Sequence, residues 1–275
     1  MHVLENSLLA FINSYVTLLS FLLKASIRFR RSCGVSKWLS VNNENATKTL
    51  ICFPYAGGGV SIYSGWKKLL PDDVRLVMVE PPGRGRHFGE PAIDDMNKLV
   101  SELQQHLDPF MQGEYVLYGH SLGSRVAFEV LRQALERGLP CAKHFFASGS
   151  ASPAYCGLKK PLYNLPSVDF RAELAELNGT PKEILAHDEL MDLFEPMLRA
   201  DFKLADTYKY EQPLTFPCNV SVFAGKDDPI LEENARHWLS FFESGEFTWF
   251  EGGHFFINDC TTEIVDKVST RLALI

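Results

Sequence analysis

Ser121, His254 and one of two adjacent aspartates, Asp227 or Asp228, have the types and the glycine-rich surroundings that nucleophilic catalysis needs. Ser121 is the centre of Gly119-His120-Ser121-Leu122-Gly123, a G-x-S-x-G pentapeptide. A serine hydroxyl is a weak nucleophile until a base takes its proton, and the base needs an acid to fix its tautomer. The chemistry open to such a set is acyl transfer through a covalent intermediate.

The surroundings of the pentapeptide decide whether it is more than a glycine-rich loop. The apolar run Tyr115–Tyr118 comes directly before it, and a segment of helical period, Ser124–Arg137, directly after. That is a strand, a sharp turn and a helix, with glycines two residues either side of the serine where side chains would collide. The turn lifts Ser121 Oγ clear of a sheet edge. The helix behind it offers the amide of Leu122 to a developing oxyanion.

A nucleophile carried on such a turn draws its acid and then its histidine from later in the chain. Of the eight histidines, His2, His87 and His106 precede Ser121, and His120 sits inside the turn. His144 opens an apolar run, His187 lies in a helical region, and His237 falls within a helical stretch, Glu232–Phe242. His254 stands apart in Gly252-Gly253-His254-Phe255-Phe256, between the last apolar run and the last helix. Its glycines let the loop come close, and its phenylalanines give it something to pack with. The acid is expected after the run Val220–Ala224, in Gly225-Lys226-Asp227-Asp228-Pro229. Asp228 holds the G-x-x-D position and is preferred, with Asp227 in reserve.

The elements that must position these residues follow from hydrophobic period. Short apolar runs at Leu50–Phe53, Val74–Val79, Tyr115–Tyr118, His144–Ala147, Val220–Ala224 and Phe247–Phe250 alternate with helical segments. Ile93–Leu107, Ser124–Arg137 and Thr262–Leu274 are the clearest of these. The alternation predicts an α/β fold with a mostly parallel sheet flanked by helices. One interval breaks it. From Ser152 to Phe216 only helical segments occur, Val168–Leu177 and Glu189–Leu198, the second kinked at Pro196. An insertion there sits over the strand ends, where open α/β sheets keep their sites, and is a candidate lid. Part of the face formed by Leu190, Met191, Leu193, Phe194 and Met197 is expected to line an apolar chamber rather than serve only as core.

Hydrophobic residues make up 46% of the chain and charged residues 22%, which suits one large α/β domain rather than a disordered chain. The net charge of −7 argues against a nucleic-acid partner. The cysteines Cys33, Cys52, Cys141, Cys156, Cys218 and Cys260 are scattered, so neither a disulfide framework nor a metal site is expected. A reducing, cytoplasmic setting fits them.

Residues 1–47 are read as an extension and 48–275 as the domain, with its lid at about 152–216. No charge occurs from Asn6 to Leu23, and the basic residues Lys24, Arg28, Arg30 and Arg31 follow. The stretch is short for a spanning helix, which takes roughly 20 apolar residues. Spanning, lying on a membrane surface, and an inert segment left by a misplaced start stay open as readings, so membrane association does too.

From Lys48 onward the chain resembles the type II thioesterases associated with nonribosomal peptide and polyketide synthases, together with the medium-chain fatty acid synthase thioesterases, all of the α/β-hydrolase superfamily. The resemblance rests on ordered blocks: Phe53-Pro54-Tyr55-Ala56-Gly57-Gly58, Pro82-Gly83-Arg84-Gly85-Arg86, the Ser121 pentapeptide, Asn178-Gly179-Thr180-Pro181, Leu198-Arg199-Ala200-Asp201-Phe202, Tyr208, and Gly252 to Phe256. Asn178 replaces a usual glycine, and the apolar extension is not a family feature. The resemblance implies a thioesterase that hydrolyses acyl groups from the phosphopantetheine arm of an acyl or peptidyl carrier protein. It implies Ala56 as second oxyanion donor beside Leu122, the insertion as lid, and no cofactor or metal. The rival readings are an esterase or acyl-CoA thioesterase acting on free small molecules, and a non-catalytic binding protein of the same fold. Ser121, Asp228 and His254 together argue against the last.

Overall fold

The computed structural model describes residues 37–155, 161–177, 179–180 and 182–275. The apolar extension expected before residue 37 and the departure at Asn178 lie outside the described residues. In chain order the elements are β1 (Leu39–Asn42), β2 (Lys48–Phe53), β3 (Val74–Val79), α1 (Met96–Leu107), β4 (Tyr115–His120), α2 (Leu122–Glu136) and β5 (His144–Ser148). The insertion contributes α3 (Ser167–Leu177), α4 (Lys182–Leu185) and α5 (Asp188–Thr207). The chain closes with β6 (Phe216–Gly225), α6 (Glu232–Arg236), β7 (Phe242–Phe250), α7 (Phe256–Asp259) and α8 (Thr261–Leu272).

The seven strands form one sheet in the order β1-β3-β2-β4-β5-β6-β7, parallel except for β1, which runs antiparallel to β3. Successive strand side chains point to opposite faces, so each apolar run feeds two cores. Ile51, Phe53, Val77, Leu117, Phe145 and Val222 face the side covered by α1 and α2. Leu50, Cys52, Leu76, Val116, Phe146 and Phe223 face the side closed by Ile264, Val265, Val268 and Leu272 of α8. The insertion has a third, smaller core of its own.

The mostly parallel sheet is the one the sequence predicts, but several bounds differ. The sheet begins upstream of Lys48, the expected start, because β1 pairs Leu39 with Val79 and buries Trp38 and Leu39. Four residues are too few to show a period. β7 starts at Phe242 rather than Phe247, since its first half is an edge strand of exposed polar residues with no apolar signal. That start cuts short the expected helix Glu232–Phe242, which divides into α6 and a 3₁₀ turn, His237–Phe241. Helix α5 runs through Pro196 to Thr207, well past the expected end at Leu198. Pro196 is on the exposed face, where the carbonyl it strips of a partner meets water, and buried Leu198, Ala200 and Leu204 hold the helix beyond it.

Candidate active site

The loop that carries Ser121 is shaped by backbone crowding. Ser121 is at φ +55°, ψ −119°, a conformation side chains rarely adopt and one that stores strain at a tight turn. A Cβ on Gly119 would stand 2.4 Å from the Gly123 carbonyl, and one on Gly123 would stand 2.1 Å from Phe53 O. Both glycines are therefore required by contact. Ser121 N–H donates to Ser148 O at 2.8 Å, tying the turn to β5. Ser124 Oγ donates to Gly119 O at 2.7 Å, closing it from behind.

Residues far apart in sequence meet at Ser121. His254 Nε2 lies 2.9 Å from Ser121 Oγ, and His254 Nδ1 lies 2.8 Å from Asp228 Oδ2. An ionised carboxylate only accepts, so Nδ1 carries the proton and Nε2 is left to accept from the serine hydroxyl. Asp228 Oδ1 accepts the amide of Ile230 at 3.0 Å. Burial works to raise the Asp228 carboxyl, but the hydrogen bonds from His254 and Ile230 outweigh it and hold it below its usual range. Asp227, the reserve acid, is exposed, and its backbone amide is taken by Gly252 O at 3.0 Å. The histidine loop packs through its aromatics: Phe256 stacks on Phe250 at 5.3 Å, and Phe255 meets Tyr55 edge-on at 5.1 Å.

Leu122 opens α2 immediately beside Ser121. Ala56 lies on the loop after β2, which the start of α2 presses against at Phe53 and Pro54. Pro54, Tyr55, Leu122, Asp201 and Leu204 enclose a void of only about 10 Å³, the space of a single water. A cavity of about 490 Å³ opens at the other end of the strands between Cys141, Lys143 and Cys218, away from Ser121. No group of three His, Cys, Asp or Glu among the described residues is arranged to hold a metal ion.

One residue set aside in the sequence has a place here. His120 is buried, and its Nε2 donates to the carbonyl of His254 at 2.8 Å while its Nδ1 accepts from Ser148 Oγ at 2.9 Å. Burial, reinforced by His254, pushes its pKa down to about 3, so the ring is neutral and can fill both roles. Its partners are 134 and 28 residues away, and no spacing in the sequence points to them.

The insertion covers the site through α5. Leu198 lies within 2.7 Å of where a Gly57 Cβ would be, over the loop that carries Ala56. Met191, expected in the chamber, instead packs in the insertion's own core with Leu162, Phe170 and Leu174. Leu193 is exposed, and Phe194 meets Phe88 edge-on at 5.7 Å. Met197 and Leu198 belong to the same core but also touch the loops below, at Gly83 and Gly57.

A strained serine at a strand-to-helix turn on a parallel sheet, met by a histidine and a carboxylate from later loops, defines an α/β-hydrolase. The chain belongs to the thioesterase family, whose Thioesterase domain model matches residues 48–272, and is a thioester hydrolase of the serine type. It is 30% identical to the gramicidin S biosynthesis protein GrsT of Aneurinibacillus migulanus, covering 88% of this chain and 96% of that one. Against the human medium-chain S-acyl fatty acid synthase thioesterase the identity is also 30%, over 82% and 86%. The solved structure of RedJ, a thioesterase of the prodiginine biosynthetic pathway in Streptomyces coelicolor, superposes with a TM-score of 0.78 at 30% identity, covering 84% and 92%. Among the described residues no helix is long and apolar enough to cross a membrane.

Proposed function

We propose that the protein removes acyl groups from the phosphopantetheine arm of an acyl or peptidyl carrier protein, with Ser121 as nucleophile, His254 as base and Asp228 as its orienting acid. The unbroken run of hydrogen bonds from Ser121 through His254 to Asp228 carries this reading. The names of GrsT and of the human fatty acid synthase thioesterase support the carrier-bound substrate.

His254 Nε2 takes the hydroxyl proton as Ser121 Oγ attacks the thioester carbonyl. The carbonyl oxygen becomes an anion held by the amides of Leu122 and Ala56. The tetrahedral centre collapses, the C–S bond breaks, and the pantetheine thiol leaves with the proton that His254 returns. Water, deprotonated by the same nitrogen, then attacks the acyl-enzyme and frees the acid. Asp228 keeps Nδ1 protonated and stabilises the imidazolium in both halves. The domain takes in β1 and so runs from Lys37 to Ile275, with the insertion at about 152–216 as lid. The small void beside Leu122 fits a closed lid, which must shift to admit an acyl chain.

Competition kinetics with one acyl group on a carrier protein, on coenzyme A and on p-nitrophenol test the substrate class. The carrier is expected to win by ~10-fold or more in kcat/KM, the size one added contact surface supplies. Equal or better turnover of the free thioester or ester assigns the enzyme to small molecules instead.

A further inference from the structure

Away from the Ser121 relay, Arg84 and Asp201 form an ion pair buried at both ends, with side chains 7% and 4% exposed. The guanidinium grips the carboxylate with both ends, Nη1 to Oδ2 at 2.6 Å and Nη2 to Oδ1 at 2.7 Å. Neither group stops at the other. Arg84 Nη1 also donates to Gly58 O at 3.0 Å, and Asp201 Oδ2 also accepts Gly57 N–H at 2.7 Å. The pair thus joins α5 and the loop after β3 to the loop after β2.

Those contacts fall on the two residues that follow Ala56. Gly58 N–H donates to Tyr55 O at 2.9 Å, so the carbonyl of the Tyr55–Ala56 peptide faces into the turn. In a trans peptide the N–H points opposite to the C=O, which turns the Ala56 N–H outward. On that turn the Gly57 amide is held by Asp201 and the Gly58 carbonyl by Arg84. Leu198, one turn before Asp201 on α5, lies against the same Gly57.

We propose that Arg84 and Asp201 are positioning residues: through Gly57 and Gly58 they aim the Ala56 N–H at the oxyanion, and so couple the lid helix to the oxyanion loop. This rests on the reading of Ala56 as an oxyanion donor. The pairing also has an electrostatic side. A carboxylate one residue from the oxyanion opposes the charge that develops there, and Arg84 cancels it. Loss of Arg84 therefore costs more than loss of the Asp201 charge.

Asp201→Asn, Arg84→Gln and Arg84→Lys, each with a thermal melt, test the clamp on acyl thioester turnover. A second assay measures inhibition by an acyl trifluoromethyl ketone, whose adduct with serine places an oxyanion in the hole. Asp201→Asn should lower kcat by ~10-fold and Arg84→Gln by ~100-fold with KM within about threefold, below the full loss of one donor. Ketone affinity should fall in step with kcat, and Arg84→Lys should recover part of both. Folded variants with parent kcat and ketone affinity would overturn the proposal. So would equal losses for Asp201→Asn and Arg84→Gln, or failure of all three to fold, since the pair would then be structural only. A parent enzyme that forms no serine adduct with the ketone, or full turnover by Ser121→Ala, counts against the triad reading and not the clamp.

Discussion

Below Ser121, every residue of β4 is buried, and the first ten residues of α2, Leu122 to Leu131, are buried as well. Above it, the insertion encloses a core that among the described residues has six buried hydrophobic side chains, and it fastens itself largely by charge. Arg171 and Arg199 both grip Glu195, at 2.9 Å and 2.7 Å, and Ser167 Oγ donates to the same carboxylate at 2.7 Å. The far end of α5 is anchored to α2 by Arg125, which donates to the carbonyls of Ala205 and Tyr208, and by Tyr208, whose hydroxyl donates to Glu129 at 2.7 Å. A floor packed that tightly keeps a strained serine in place at fixed geometry. A roof with its own small core can shift as a unit without opening the floor.

The largest effect expected falls on the relay held by the floor. Asp228→Asn should cut kcat by ~10⁴-fold, as loss of the orienting acid does in a comparable triad, with the melt near the parent's. Asp227→Asn, an exposed side chain, should stay within about threefold of the parent. A larger loss at Asp227 would contradict the assignment of the acid.

In the roof, Met191→Ala should cost about 2–5 kcal/mol, the usual range for emptying a packed site. Because Met191 belongs to the insertion's core, the loss should appear first as faster hydrogen exchange in α3 and α5, with β4 still protected. Equal loosening of β4 would mean that the two regions unfold together.

Acid should weaken the floor next. His120 and His144 are both buried, and desolvation first of all pushes their pKa values down to about 3 and about 4. Unfolded, each takes a proton near pH 6.5, so between that value and about 4 the unfolded state binds up to two more protons than the native one. Stability is then fully present above pH 6.5 and falls as the pH drops through that window. Denaturant melts from pH 7 to 4.5 check the slope, and His144→Gln should reduce it by one proton. A slope unchanged in that variant would leave His144 out.

The smallest effect is on selectivity. Leu198→Ala opens space above Gly57 and should shift the preferred acyl length upward by ~10-fold in relative kcat/KM, the low end for methylene-sized changes. An unchanged ranking would place the acyl chain elsewhere.

The two regions also differ in how far the sequence discloses them. Ser121, His254 and Asp228 can be read from glycines and from runs of fixed period, because backbone crowding leaves marks in the local sequence. The β2 to β6 centre of the sheet is legible for the same reason: strands buried on both faces are continuously apolar. Edge strand β1 escapes because four residues show no period, and the first half of β7, before the run Phe247–Phe250, because exposure removes the apolar signal. The place of Met191 in the insertion's core is not legible, because an apolar helical face looks the same whether it meets a ligand or another helix. His120, Arg84 and Asp201 act through partners 26 to 144 residues distant, and such pairings come only with the fold.

The central claim, that Ser121 carries the acyl group between carrier and water, is tested most directly by rapid-quench mass spectrometry of the enzyme mixed with an acyl-carrier protein. The peptide containing Ser121 should gain the mass of the acyl group within one turnover and lose it as free acid appears. Ser121→Ala should show no adduct and a loss of at least ~10³-fold in rate. Turnover at the parent rate in Ser121→Ala, or an adduct on a different residue, would contradict it.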